Sequence, residues 1–242
     1  MFCRLLFATT FLVLSAVQSA YAISIDGGKV TIDSSDVGNS FTIEYAFDCT
    51  TTLCGNAFTV EAKTIWTVTD LNADGTALFD IDVQNTTSTS TSRLVSFAVD
   101  VLNPHALNAL STQNFATNPT NWSAIVNTNF PSFSQVDLCV FGGPNCSGGG
   151  NSGLVNGMVD HLMLKLIPLR EKNYQTGLTL DVFPVKFQSV GPKGASIELK
   201  GKPCTECGRN LTETPEPSTL FLLGSGLVGF LVLLGKKNKA TT

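Results

Sequence analysis

The sequence is poor in charge, in histidine and in helical patterning. Charged residues make up 14% of its 242 residues, and His105 and His161 are its two histidines. Residues 23–137 hold three basic residues against twelve acidic ones. Nucleic-acid binding needs clustered Lys and Arg, so no nucleic-acid partner is expected. We interpret the acidic excess as a solvated surface, with cation binding as the alternative.

Catalytic motifs are scarce as well. No G-x-S-x-G nucleophile elbow occurs. A hydrolytic triad would need His161 or His105, with Asp160 and one of many serines, and this hydrolase remains an alternative. Asp80 and Asp82 fall on one strand face, whereas glycosidase acids usually come from separate elements that line a cleft. We therefore predict a protein that is not an enzyme and that uses no cofactor.

The N-terminus has the pattern of a secretory signal peptide over residues 1–22. Arg4 precedes an apolar stretch from Leu5 to Val17, and Ala20-Tyr21-Ala22 is a small-x-small cleavage site. The apolar stretch is shorter than the roughly 20 residues of a membrane span, which disfavours the alternative of an N-terminal anchor. The mature chain is therefore predicted to begin at Ile23 and to be exported.

The C-terminus, residues 215–242, has three parts in a fixed order. They are a proline motif, an uncharged run and a basic end: Pro215, Glu216 and Pro217; residues 218–235; and Lys236, Lys237 and Lys239. At about 1.5 Å per residue, the run nearly crosses a ~30 Å hydrocarbon core, so it predicts a transmembrane helix. The lysines belong on the cytoplasmic side, which leaves the preceding residues outside.

This arrangement resembles the PEP-CTERM sorting domain of exopolysaccharide-producing Gram-negative bacteria. The resemblance implies two partners, the membrane and an exosortase-like enzyme that removes or transfers the tail, and it suggests exopolysaccharide as a third. It also implies a precursor that is anchored in the inner membrane and faces the periplasm. The final location would be the cell surface or the extracellular matrix, where a structural or adhesive role is expected. A carbohydrate-binding module is the alternative.

Six cysteines remain once Cys3 leaves with the signal peptide, and an even number in an exported chain predicts disulfides. Several pairings are possible, and proximity favours three local ones: Cys49 with Cys54, Cys139 with Cys146, and Cys204 with Cys207. A redox motif or a zinc site at Cys204 and Cys207 is the alternative. It is disfavoured because no βαβ pattern surrounds this pair and neither histidine is near in sequence.

The body of the chain, residues 23–199, alternates apolar and polar residues with a period of two. This pattern predicts an all-β fold, an antiparallel β-sandwich of the jelly-roll type. A short helix is expected within Asn103–Gln113, and residues 200–214 are interpreted as a linker. At Phe183-Pro184 the apolar phase slips by one residue, which predicts a bulge, a bend or an edge position.

The central residues also resemble a family of PEP-CTERM ectodomains called cistern. The similarity is carried by four stretches: Trp66 to Thr69, Ala77 to Asn85, Thr91 to Asp100, and Val185 to Gln188. The resemblance implies no catalytic residue for this chain.

Two binding sites are weighed on sequence patterns. Asp70, Asn72 and Asp74 match the start of a calcium loop, but Ile81 stands where the loop needs a bidentate Glu. A hairpin turn is the favoured interpretation, and a calcium site is the alternative. Trp66, Trp122 and Tyr45 could form an aromatic platform for a sugar. Trp122 is the candidate glycan contact, because it lies in a polar run while Tyr45 is in phase with a core row.

Overall fold

A computed structural model of the chain describes residues 23–72, 76–88, 90–103, 107–114, 120–149, 151–168, 177–205 and 207. All of them belong to the first of two units, Met1–Cys207 and Gly208–Thr242. The predicted signal peptide, the linker beyond Cys207, the tail with its predicted transmembrane helix, and His105 lie outside the described residues. Within the described part of the chain, no helix has the length and hydropathy of a membrane span.

The described residues form β-strands and two single-turn helices, at Ser34–Asp36 and Thr51–Cys54 (α1). The strands are β1 (Ser24–Asp26), β2 (Lys29–Ile32), β3 (Ser40–Cys49), β4 (Phe58–Leu71), β5 (Ala77–Asn85), β6 (Arg93–Asn103), β7 (Leu107–Asn114), β8 (Ser123–Phe130), β9 (Ser134–Phe141), β10 (Leu154–Val155), β11 (Val159–Pro168), β12 (Leu178–Asp181), β13 (Pro184–Val190), β14 (Ala195–Lys200) and β15 (Lys202–Cys204). The pairings between neighbouring strands are antiparallel, which confirms the predicted all-β class.

The strands divide between two sheets. The larger has the order β1-β2-β12-β6-β13-β14, with β9 and β10 also pairing with β6 and β8 pairing with β9. The smaller has the order β15-β3-β4-β5-β11-β7. Buried apolar residues from both sheets belong to one core cluster, so the fold is the predicted antiparallel sandwich.

Alternation along the strands decides which side chains enter this core. In β5 the side chains of Phe79, Ile81 and Val83 are buried, while the intervening polar residues are only partly buried. Because successive side chains of a strand point to opposite faces, this places Asp80 and Asp82 on the outer face of the smaller sheet.

Aromatic side chains form the contact between the two sheets. Trp66 in β4 stacks on Phe41 in β3, with ring centroids 5.8 Å apart. The Trp66 ring also meets the edge of Phe97, in β6 of the other sheet, at 5.9 Å. Phe97 in turn contacts Trp122, just before β8, at 5.7 Å. Large aromatic side chains bury the most apolar area per residue, so this row is a main source of sandwich stability.

β12 and β13 pair with consecutive stretches of β6, and a one-residue bulge lies between them. Asp181 pairs with Asp100, whereas Val185 pairs with Phe97, so β12–β13 uses one more residue than β6 over this interval. Val182 has a φ of 44°, a conformation typical of such irregularities. The bulge predicted at Phe183-Pro184 is therefore confirmed.

Two interpretations of the sequence are wrong. The helix expected within Asn103–Gln113 is absent, because residues 107–114 form β7 and pair with β11. Long-range pairing at the sheet edge satisfies their backbone groups and outweighs local helical spacing. The predicted linker at residues 200–214 was begun too early in the sequence, because Lys202–Cys204 forms a strand that pairs with β3. Gly201 makes this close return possible, since a Cβ there would lie 2.3 Å from Ile43 Cγ2.

A buried carboxylate connects the two sheets. Asp160 in β11 is 3% exposed and lies in phase with the core residues Leu162 and Leu164. Its Oδ2 accepts hydrogen bonds of 3.0 Å from the backbone N–H of Thr120 and from Trp122 Nε1. Trp122 is thereby held against Phe97 by a charge-assisted hydrogen bond.

We expect Asp160→Ala to lower the free energy of unfolding by about 3 kcal/mol, because it leaves two buried N–H donors without an acceptor. Urea denaturation of the full chain, followed by tryptophan fluorescence, measures the effect. Asp26→Ala removes an exposed carboxylate and should change stability by less than about 0.5 kcal/mol. Equal stability of the two variants would contradict the role given to Asp160.

Candidate functional site

The three predicted disulfides are present. Cα atoms are separated by 6.0 Å for Cys49–Cys54, 6.2 Å for Cys139–Cys146 and 5.6 Å for Cys204–Cys207. The carboxylate of Glu44 lies close to the last pair, but cysteines joined in a disulfide no longer offer the thiolates that bind zinc. Each bridge closes a loop of a few residues, so its main effect is local stiffening.

The calcium motif lies at the β4–β5 hairpin. The amide of Asn72 donates to Asp70 Oδ2 at 2.9 Å, and the Asn72 N–H donates to the carbonyl of Thr76 at 2.9 Å. Asp74 lies outside the described residues. The backbone bond is typical of a hairpin loop. The Asn72 amide nitrogen occupies one of the Asp70 oxygens that a cation would use.

His161 lies between two carboxylates on the outer face of the smaller sheet. Nδ1 is 2.7 Å from Asp82 Oδ1, and Nε2 is 2.6 Å from Asp80 Oδ1. The contact with Asp80 is short but poorly directed for a hydrogen bond, so it is mainly electrostatic. A general base needs a ring nitrogen directed at the nucleophile, and here both nitrogens face carboxylates. Asp160, the triad partner considered for His161, instead binds Thr120 and Trp122.

The proposed aromatic sugar platform is wrong. Trp66 and Trp122 are each 1% exposed and Tyr45 is 2% exposed, so all three belong to the core. Burial also raises the pKa of the Tyr45 hydroxyl above its ordinary value. Trp122 lies in a polar run of sequence, but Asp160 satisfies its indole N–H inside the sandwich, which makes burial of this side chain favourable.

A polar cleft opens where β6 begins and β9 ends. It has a volume of about 270 Å³, and its lining consists of Arg93, Thr120, Asn121, Gly142, Asn151, Ser152, Gly153 and Val155. Arg93 is the one charged residue in this lining. The guanidinium has no carboxylate partner within the part of the chain that the structure describes. Sequence reasoning missed this site, whose signal was an arginine after a polar loop in an acidic half-chain.

Residues 142–149 and 151–153, here called the glycine-rich wall, form one side of the cleft and are tied to the larger sheet. Cys146 is bonded to Cys139 of β9, and its carbonyl accepts from the Ser96 hydroxyl at 2.8 Å. The Gly149 N–H donates to Gln188 Oε1 at 2.9 Å. These bonds place the wall in a defined position despite its glycine content.

Three carboxylates lie close together elsewhere on the larger sheet, those of Asp100, Asp137 and Asp181. Asp100 Oδ1 accepts from the Asp137 N–H at 3.3 Å, and Asp137 Oδ2 accepts from the Val101 N–H at 2.8 Å. Burial raises the pKa of Asp100, and the charges of Asp137 and Asp181 raise it further. The Asp137 N–H and the charge of Lys200 oppose this shift.

We expect Asp100→Asn to stabilise the fold at pH 7. A carboxyl whose pKa is higher in the folded than in the unfolded chain holds its proton more tightly when folded. Stability is then lost as pH rises from the unfolded value of 3.8 to the raised folded pKa. The amide keeps the bond to the Asp137 N–H and removes this loss, which solvent limits to less than about 1 kcal/mol.

Urea denaturation at pH 3 and pH 7 tests this expectation. The variant and the native chain should be equally stable at pH 3 and should differ at pH 7. Asp26→Asn, at an exposed position, is the control. A stabilisation of the same size at both pH values would mean that the Asp100 charge is not responsible.

Comparison with known proteins bears on the C-terminus. Residues 213–237 match the family described as the PEP-CTERM protein-sorting motif. No curated protein matches the chain significantly. A solved structure that is similar is described as "Crystal structure of an uncharacterized protein from Nocardia farcinica reveals an immunoglobulin-like fold". It is 14% identical, with 58% of this chain and 94% of that chain covered and a TM-score of 0.33, which carries no functional argument.

The matched segment contains the proline motif, the uncharged run and the first lysines of the tail. Such a motif implies export, membrane association and processing by an exosortase. The finer resemblance to the cistern family is not confirmed by any match. The chain therefore carries a C-terminal segment that matches the PEP-CTERM protein-sorting motif of exosortase substrates.

Proposed function

We propose that the protein is a non-enzymatic component of the cell surface or extracellular matrix, with a structural or adhesive role in association with exopolysaccharide. The sorting motif at residues 213–237 is the observation that carries this proposal. The precursor would be anchored in the inner membrane with its sandwich in the periplasm, and processing of the tail would release it to its final location.

The chemistry of the sandwich is consistent with life outside the cytosol. Its three disulfides are of the kind that forms and persists in oxidising compartments. The proposal of a non-enzymatic role is supported by His161, whose two ring nitrogens both face carboxylates. Support also comes from Asp160, whose carboxylate is committed to buried hydrogen bonds.

Carbohydrate binding is a second candidate function, favoured by one observation. The cleft beside Arg93 offers amide, hydroxyl and guanidinium groups on a stiffened wall, and such groups form hydrogen bonds with sugar hydroxyls. This candidate no longer depends on an aromatic platform. Binding of the full chain to an array of glycans would separate it from a purely structural role.

The C-terminus of the protein in its native envelope tests the main proposal. We expect mass spectrometry to find the chain ending before the uncharged run, because an exosortase would cut near Pro215-Glu216-Pro217. Replacement of these three residues by alanine should leave the tail attached and retain the protein in the inner membrane. Thr212→Ala, just before the matched segment, is the matched control and should be processed normally. An intact Thr242 on the native protein in an exosortase-bearing cell would contradict the proposal.

A further inference from the structure

We propose that the cleft beside Arg93 is a binding subsite for an acidic sugar, a pyranose ring that carries a carboxylate. The inference rests on the carbohydrate-binding function proposed above and names its ligand class. The carboxylate would pair with the Arg93 guanidinium, and the ring hydroxyls would bind the neutral polar groups around it.

The charge distribution in the cleft selects the sign of the ligand. Arg93 is the one arginine among the described residues, and no acidic residue lines the cleft. The surrounding half of the chain is acidic, yet none of its described carboxylates pairs with this guanidinium. A guanidinium presents a rigid fork of N–H donors that matches a carboxylate with two parallel hydrogen bonds. An anion in the cleft would supply the partner that the fold does not.

The neutral residues of the lining suit the rest of a sugar. Asn121 and Asn151 are exposed and offer both amide donors and carbonyl acceptors. The Ser152 hydroxyl donates to the Gly149 carbonyl at 2.9 Å, so its oxygen can still accept a hydrogen bond. Groups that both donate and accept are what adjacent ring hydroxyls require. A purely electrostatic site for an inorganic anion would have more cations and fewer amides.

Two of the lining residues in the cleft are glycines of the glycine-rich wall. They are Gly142 and Gly153, and a Cβ at Gly142 would lie 2.3 Å from Thr120 Cγ2. A side chain at Gly142 would therefore clash with Thr120, so the lining presents only backbone at this position. The volume of about 270 Å³ is just under the range of roughly 300–1,000 Å³ for small-molecule sites, which indicates one sugar ring with its neighbours outside.

The fold holds the groups of the cleft in place before any ligand arrives. Arg93 at the start of β6 pairs with Val155 of β10. Beneath this pair, the buried amide of Asn85 donates to the carbonyls of Leu154 at 2.9 Å and Ser92 at 3.4 Å. The opposite wall is fixed by the disulfide at Cys146. A site that is ordered in advance loses less conformational entropy on binding.

Calorimetry with the purified full chain in detergent tests the inference. The probes are a short oligogalacturonate and its fully methyl-esterified form, in which each charged carboxylate is replaced by a neutral methyl ester. EDTA is present to exclude bridging calcium. We expect the acid to bind at least about tenfold more tightly than the ester, since a hydrogen bond to a charged group is worth that much. Added salt should weaken only the acid.

Variants assign this preference to the cleft. Arg93→Gln should bind acid and ester equally, and Arg93→Lys, which keeps the charge without the fork, should retain part of the preference. Asn151→Ala should weaken both ligands together. Lys29→Gln removes one positive charge from the exposed β1–β2 hairpin of the same acidic half and should bind as the native chain does. Tryptophan fluorescence verifies that each variant is folded. If Arg93→Gln does not fold, the binding of Arg93→Lys and Asn151→Ala tests the inference instead.

Several results would overturn the inference. Equal losses of affinity in Arg93→Gln and Lys29→Gln would show that the effect depends only on overall charge. Equal binding of acid and ester would show that the protein does not recognise the carboxylate. Tighter binding of a sulfated neutral oligosaccharide than of the oligogalacturonate would show that the site prefers a sulfate group to a carboxylate. If the native chain binds glycans but the cleft variants do not differ from it, the cleft is wrong and the carbohydrate-binding function stands. If it binds no glycan, both the cleft proposal and the carbohydrate-binding function fail. The sorting of the protein is tested separately, by mass spectrometry of its C-terminus.

Discussion

The contact of Trp66 with Phe97 is the interaction on which the rest of the sandwich depends. Trp66 belongs to the smaller sheet and Phe97 to the larger one, and their rings meet edge to face at 5.9 Å. Phe41 and Phe79 surround Trp66 on its own sheet, and Trp122 continues the row beyond Phe97. Two sheets with alternating faces can bury their apolar rows only against each other, so this row sets their separation and alignment.

The same packing decides what one end of the sandwich can do. Trp122 is held in the core by its ring contact with Phe97 and by the hydrogen bond that its indole N–H donates to the Asp160 carboxylate. Its ring packs close to Gly142, a lining residue of the polar cleft at which a Cβ would clash with Thr120. The tryptophan therefore contributes to the proposed site as a support beneath it, and the polar contacts belong to Arg93 and the glycine-rich wall.

Export and folding are connected through the cysteines. Cys139–Cys146 fixes the glycine-rich wall on the larger sheet, Cys49–Cys54 closes the turn after β3, and Cys204–Cys207 begins at the final residue of β15. None of these bridges joins distant parts of the chain, so the sandwich depends for its stability on its core. The bridges instead stiffen loops of the sandwich. An oxidising compartment is needed for them to persist.

What the sequence determined by itself were the features written in local patterns. The period of two specified the all-β class, the phase slip at Phe183-Pro184 specified the bulge, and proximity specified the disulfide pairs. The C-terminal motif is linear and could be read in the same way.

What depends on distant parts of the chain was decided only by the tertiary structure. Residues 107–114 form a strand because β11 offers an edge, and residues 202–204 because β3 does. Trp122 is buried because Asp160, far along the chain, accepts its N–H, and the polar cleft exists because Arg93 meets a loop about fifty residues away. Local pattern cannot specify such contacts, since their energy depends on which segments the whole fold brings together.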